Sequence, residues 1–437
     1  MGRALGGDFV QFYVIGKILN QHEPARIYDL DLEVPLQHEA APGTVKDQML
    51  VFASAPYIGL VYRPFALLPY RWAYLAWLIF SLALYAAAIV LLLRSAGLSP
   101  EQRKTGFLLG ISSMPFLMET WIGGQISVLA IFAIALFVFC RARNCRFLAG
   151  LALALAGFKP TLIAIPVLML VCGRRWRMLG GVVTGAIALA AASVASVGIK
   201  GCAAWLDTLK FYGHLATGPA AALRRTKYLD IGSFFHLMLG DYSGLAQVLG
   251  TLAAMAGIAI LAFAWWRSPA WSAASRDLLW AATLAGALVC NVYTPIYDTI
   301  LAGAAVALVA GVLLRREGED REAFGMWLVL LYIVPWVTQS FAEFLRFQPF
   351  TLALAGFACW ALRLAWRGPL PSQAALQHVD STGTDRVLTS LTQYSTYYHL
   401  LGLTSYAVSR NTSNSGLCLS VLPRSYSQVP NPNMGTR

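Results

Sequence analysis

Four polar positions interrupt a chain that is otherwise strongly apolar. They are Asp8 in "LGGDFVQFYVIGKIL", Gln125 in "METWIGGQIS", Lys159 in "LAGFKPTLIA" and Asp298 in "CNVYTPIYDTI", where Tyr297 precedes the carboxylate. A charge at the centre of a bilayer costs roughly 2.5–3.5 kcal/mol, so such residues persist where they face a cavity or a partner. A second basic group, Arg224, Arg225 and Lys227 in "LRRTKYLDIG", has the charge to grip a lipid phosphate beside a membrane. A solvated basic face is the plain alternative. The six histidines (22, 38, 214, 236, 378, 399) and seven cysteines show neither metal-ligand nor disulfide spacing. No phosphate-cradling glycine loop, nucleophile elbow or H-E-x-x-H occurs, and the residues themselves show no metal site.

The elements that must position these residues are membrane helices. The chain is 58% hydrophobic and 12% charged, with a mean hydropathy of +0.60, which excludes an ordinary soluble domain of 437 residues. The net charge of +12 suits cytoplasmic loops better than nucleic acid, and nucleic acid is not an expected partner. "MGRALGG" lacks the apolar core of a signal peptide.

Apolar runs fall near 73–93, 106–118, 124–140, 147–158, 160–172, 178–198, 246–266, 278–290, 299–314, 324–343 and 348–366. Basic residues follow alternate runs: Arg94, Arg103 and Lys104; Arg141, Arg143 and Arg146; Arg174, Arg175 and Arg177; Arg267 and Arg276; Arg315, Arg316 and Arg321. Placing all of these in the cytoplasm satisfies the positive-inside rule with one threading of eleven membrane segments. That threading puts residues 1–72 outside and predicts a further helix upstream of Met1. A crossing by 51–70 would also restore parity, but Arg63, Pro56, Pro64 and Pro69 make it a poor span.

Several runs are shorter than the about 20 residues that a helix needs to cross. "RFLAGLALALAGFKPTLIAIPVLMLVCGRRWR" is basic at both ends with Lys159-Pro160 in the middle. As one helix it would leave a lysine at the bilayer centre; as a hairpin, its legs return to the same side and the turn stops inside the membrane region. A lysine snorkelling to an interface is the alternative. The turns carrying Gln125 and Asp298 open on the same side, so Asp8, Gln125, Lys159 and Asp298 are expected around one outward-facing cavity. Three regions follow: 1–72, amphipathic and juxtamembrane, with helices lying at the interface; 73–366, multi-span, with an outer loop at about 200–245; and 367–437, polar and expected to be disordered in the cytoplasm.

Taken together the motifs resemble glycosyltransferase family 87, polytopic enzymes of the GT-C class that include bacterial α-mannosyltransferases. Asp8-Phe9 with Phe12-Tyr13 is similar to the family's stretch after its first helix. The proline- and aromatic-rich segment Pro56–Pro69, which contains Arg63, Gly124-Gln125, Lys159-Pro160 and Thr294-Pro295-Ile296-Tyr297-Asp298 follow in the family's order. The resemblance spans about residues 5–366. Its first helix is missing here, and the histidine that mannosyltransferase members carry near the late turn is not evident beside Asp298.

The resemblance implies an all-α, GT-C-like membrane glycosyltransferase. It would move a hexose, mannose favoured, from a polyprenyl-phosphate donor to a lipid or glycan acceptor, with inversion and without a nucleotide cofactor or an obligatory metal. The active site would face the periplasm or exterior of a bacterial inner membrane. Asp8 takes the catalytic position, and Lys159, Gln125, Tyr297, Asp298, Arg63, Arg224 and Arg225 are the expected donor- and acceptor-binding residues. A polytopic transporter is the rival reading, since broken helices with charges at mid-membrane also build transport sites.

Overall fold

The computed structural model describes residues 6–21, 23–42, 50–217, 225–240, 243–314 and 319–368. Arg224, Arg315, Arg316 and the tail from 369 onward therefore lie outside the described residues. Among those described there is no β-strand; helices carry the fold. They are α1 (Phe9–Gln21), α2 (Leu30–Ala40), α3 (Tyr57–Tyr62), α4 (Tyr70–Ser95), α5 (Pro100–Ile111), α6 (Ser127–Ala142), α7 (Arg146–Leu155) and α8 (Pro160–Cys172). After them come α9 (Trp176–Thr217), α10 (Ile231–Leu239), α11 (Gly244–Arg267), α12 (Ala273–Val289), α13 (Ala302–Leu313), α14 (Glu319–Leu345) and α15 (Pro349–Arg367).

The boundaries follow local chemistry. Ser99 and Gln102 form a reciprocal capping box ahead of α5, with Pro100 in the first turn where its missing N–H costs nothing. Ser243 and Ser272 cap α11 and α12 through their hydroxyls. α6 and α8 end in the same way: the N–H of Cys145 reaches back to Cys140 O, and that of Arg175 to Leu170 O. Asn144 and Arg174 take the left-handed conformation between them (φ 60° and 54°). A single turn thus reverses the chain after each helix.

Among the described residues, six helical segments are long and apolar enough to cross a membrane: Tyr70–Ser95, Trp176–Phe211, Gly244–Ala270, Ile296–Leu313, Glu319–Leu345 and Pro349–Arg367. They expose apolar side chains such as Ile187, Met255 and Met326, as lipid-facing surfaces do. The chain is an all-α, multi-pass membrane protein. The run at 106–118 does not form one helix, because α5 stops before Pro115 and a seven-residue π-turn, Pro115–Trp121, follows. α6, α7 and α8, with 16, 10 and 13 residues, are too short to span alone. The "RFLAG…RRWR" segment breaks at Lys159, whose backbone (φ −122°, ψ 88°) is not helical. Arg146 and Arg175, at its two ends, lie within electrostatic range of each other, so both legs return to one side.

α1 is no surface helix. Ten of its 13 residues are buried, from Phe9 to Leu19. Phe12 stacks on Tyr62 of α3 (5.1 Å between centroids), and Tyr62 packs on Trp77 of α4 (4.7 Å). A side chain at Gly16 would meet the Tyr62 carbonyl at 2.6 Å, so glycine lets α1 and α3 touch backbone to backbone. Residues 50–57 then reach the Lys159 turn, where Ala55 N–H donates to Phe158 O (3.1 Å).

Candidate active site

Two glycine-rich turns hold Asp8 against Gln125. The Asp8 N–H donates to Gly123 O (3.1 Å), and the Phe9 N–H to Gly6 O (2.8 Å). Gly124 has φ +68°, and a Cβ there would fall 2.6 Å from Phe9 Cβ and 2.7 Å from Gly6 O. Only glycine allows both the turn and the approach. The reward of this contact is a side-chain bond: Gln125 Nε2 donates to Asp8 Oδ2. Gln125 is buried, and its own N–H is fixed on Thr120 O (2.8 Å).

Two residues further on, Ser127 opens α6 and donates through Oγ to Asp298 Oδ1 (2.6 Å). The other oxygen of Asp298 accepts from Lys159 Nζ at 2.5 Å. Asp298 is fully buried, whereas the lysine side chain keeps 17% of its surface exposed. The Lys159 ammonium also lies 4.8 Å from the ring centre of Tyr297 and 5.6 Å from that of Tyr293. Burying the pair is tolerable because Ser127 and the ring faces supply what water no longer does. Since consecutive residues advance at most about 3.6 Å, the backbones bearing Gln125 and Ser127 are at most about 7 Å apart. One short stretch therefore anchors both the Asp8 carboxylate and the Lys159–Asp298 pair.

The late turn that carries Tyr297 and Asp298 is itself held from outside. Leu229 N–H donates to Thr294 O (2.8 Å), and Asp230 Oδ2 accepts from the Thr294 N–H (3.1 Å). Asp230 also caps α10 through Ser233 N–H and Oγ (2.7 and 2.9 Å). Burial pushes its carboxyl above the usual range, and the Ser233 and Thr294 bonds oppose that rise. Gln348 Nε2 reaches the carbonyl of Thr226 (2.9 Å), and Thr351 Oγ1 that of Leu229 (3.0 Å), fastening the 225–230 segment to α15.

The model of glycosyltransferase family 87 matches residues 52–295, more than half of the 437-residue chain. The chain belongs to glycosyltransferase family 87. No curated protein and no solved structure matches it. Family 87 membership makes this multi-pass protein a membrane glycosyltransferase and decides against the transporter reading. Gln125, Ser127, Lys159, Asp230 and Thr294 fall inside the family match; Asp8 precedes it, and Tyr297 and Asp298 follow it by two and three residues.

The remaining expected site residues of this family 87 chain are placed unequally. Arg63 is tied to Asn20 by two hydrogen bonds (3.0 and 2.9 Å), at the end of α1 away from Asp8. α1 has 13 residues, so about 20 Å separates Arg63's anchor from Asp8. Arg225 is buried in the segment whose Tyr228 packs on Tyr293 (5.5 Å), the ring next to Lys159. Ser127 and Asp230 were not among the expected residues. Their type and spacing carry no signal of their own; each matters through a partner 171 or 64 positions away.

Proposed function

We propose that this family 87 enzyme transfers a hexose, mannose favoured, from a polyprenyl-phosphate donor to a lipid or glycan acceptor at the outer face of the membrane. Asp8 takes the proton of the acceptor hydroxyl as that oxygen attacks the anomeric carbon. The bond from the anomeric carbon to the phosphate oxygen breaks, its electron pair leaves with the polyprenyl phosphate, and the configuration inverts. An ammonium has three N–H donors, and Asp298 accepts one of those on Lys159; the others are directed to the departing phosphate. Gln125 orients Asp8. Tyr297 lines the sugar side, and Arg225, with Arg224 beside it in sequence, adds positive charge for the phosphate. What supports this reading is one observation: residues 125–127 of a glycosyltransferase hold one carboxylate directly and an ammonium through its partner Asp298.

The test is sugar transfer by purified protein in lipid, with a panel of radiolabelled polyprenyl-phosphate sugars, for wild type, Asp8→Asn and Lys159→Ala. Asp8→Asn keeps the side-chain size and is expected to lower turnover by about 10²–10⁴-fold with donor affinity nearly unchanged. Lys159→Ala is expected to lower donor affinity and rate together. Near-normal transfer by the Asp8→Asn protein removes Asp8 from the mechanism.

A further inference from the structure

The face opposite Lys159 carries a second charged assembly. α8 separates the two: Lys159 caps its start, and Arg174 and Arg175 follow its end, about 20 Å away. Three chain reversals meet there. Arg141, from the end of α6, pairs with Asp277 at the start of α12 (2.5 Å). Arg175, after α8, reaches Ser268 Oγ at the end of α11 (3.5 Å) and lies 5.8 Å from the Trp265 ring centre. Arg276 donates to the Trp271 carbonyl, and Arg146 opens α7.

Four guanidiniums are thereby gathered from three loops, while the ion pairs among the described residues give them one carboxylate, Asp277. Burial draws the Arg175 guanidinium below its ordinary pKa range, and the charges of Arg276, Arg146 and Arg141 draw it further. Separate loops could have kept these charges apart in water. Instead the fold half-buries Arg175 and surrounds it with like charge, an arrangement that an anion relieves.

The depth of the cluster identifies the anion's source. Exposed aromatics stand beside the cluster: Trp176 (61%) and Phe147 (45%) follow Arg175 and Arg146 in sequence, and Trp266 (54%) follows Trp265, the ring next to Arg175. Aromatic side chains of this kind gather at the headgroup level of a bilayer. We propose that Arg141, Arg146, Arg175 and Arg276 bind the phosphate of an anionic phospholipid headgroup, in the leaflet opposite the candidate active site. The planar guanidinium fork suits phosphate oxygens, and flanking aromatics lie along the lipid's glycerol and upper chains. This site is independent of the transfer chemistry proposed above and needs no sugar donor.

The full chain in phosphatidylcholine nanodiscs, titrated with phosphatidylglycerol, tests it, with bound lipid counted by native mass spectrometry. Wild type is expected to retain phosphatidylglycerol over phosphatidylcholine. The Arg175→Gln and Arg276→Gln variants are each expected to lose about fivefold in that preference, and the double variant their product. Arg175→Lys keeps the charge and is expected to retain most of it, which separates lost binding from lost folding. Arg71→Gln, exposed at the other end of α4, is expected to bind as wild type does. Equal retention by the double variant and Arg71→Gln overturns the proposal. Displacement of the lipid by inorganic phosphate alone at matched concentration also overturns it, since the site would then hold a free anion.

Discussion

Lys159 Nζ lies 2.5 Å from Asp298 Oδ2, a residue 139 positions later in the chain. The bond ties the turn between α7 and α8 to the turn ahead of α13, and Ser127 at the start of α6 completes it. Removing one member of such a buried pair leaves an uncompensated charge, at a cost of about 3–5 kcal/mol. Asp298→Leu is therefore expected to lower the thermal unfolding temperature sharply. The Lys159→Met/Asp298→Leu double variant is expected to be less destabilised than the sum of its parts. Thermal unfolding of wild type, Lys159→Met, Asp298→Leu and the double variant in nanodiscs measures the coupling; additive losses would mean that the two groups do not stabilise each other.

Gly124→Ala tests the clasp between the Asp8 and Gln125 turns. A left-handed alanine costs about 1–2 kcal/mol before the contact with Phe9 is counted. The expected result is transferase activity lost to a greater degree than stability, because Gln125 moves away from Asp8. Gly180→Ala is the matched control: it lies in α9 with no atom within 4 Å of the added carbon, and it is expected to stabilise by about 0.5–1 kcal/mol. Activity preserved in Gly124→Ala would show that the clasp does not position the carboxylate.

Glu33 in α2 is fully buried, outside the membrane-spanning helices. Burial pushes its carboxyl well above the model-compound value of 4.5; the charge of Asp29 adds to the rise and the Phe52 N–H opposes it. The folded state then holds a proton that the unfolded state sheds. Above pH 4.5 the unfolded state binds fewer protons, so stability falls as pH rises until the native carboxyl itself ionises. Glu33→Gln is expected to be more stable than wild type at neutral pH and to flatten this decline. Thermal unfolding measured at several pH values checks both; a wild-type curve that rises with pH reverses the sign and refutes the assignment.

The proposed sidedness is tested by labelling whole cells with an impermeant thiol reagent. In a background with the native cysteines replaced, Glu39→Cys is expected to react and Ser99→Cys is not. Glu39 is exposed and precedes Ala40 and Ala41, which pack against Val10 two residues after Asp8, and Ser99 caps α5 beyond the far end of α4. The opposite pattern would place Asp8 in the cytoplasm and remove the rationale for a donor in the outer leaflet.

The sequence by itself determined the helical membrane class, because hydrophobicity and caps act within one segment. The break at Lys159-Pro160 is decided by neighbours within a few residues, and so are the Ser99–Gln102 cap and the stop before Pro115, which the apolar run over 106–118 had concealed. The motifs that resembled family 87 were legible for the same reason: Gly124-Gln125 and Lys159-Pro160 are local turns. The burial of α1 was not read from them. Phe9, Val10, Phe12, Tyr13, Val14, Ile15, Ile18 and Leu19 surround the helix, and an element that is apolar on every side packs inward rather than lying on an interface. Only the tertiary structure decided which polar groups meet. Ser127 reaches Asp298, Asp230 reaches Thr294, and Arg63 is anchored at the end of α1 away from Asp8, although all are equally polar as letters. Their partners are set by how helices cross and where turns stop in depth. A buried charge finds its counterpart through that geometry and not through spacing along the chain.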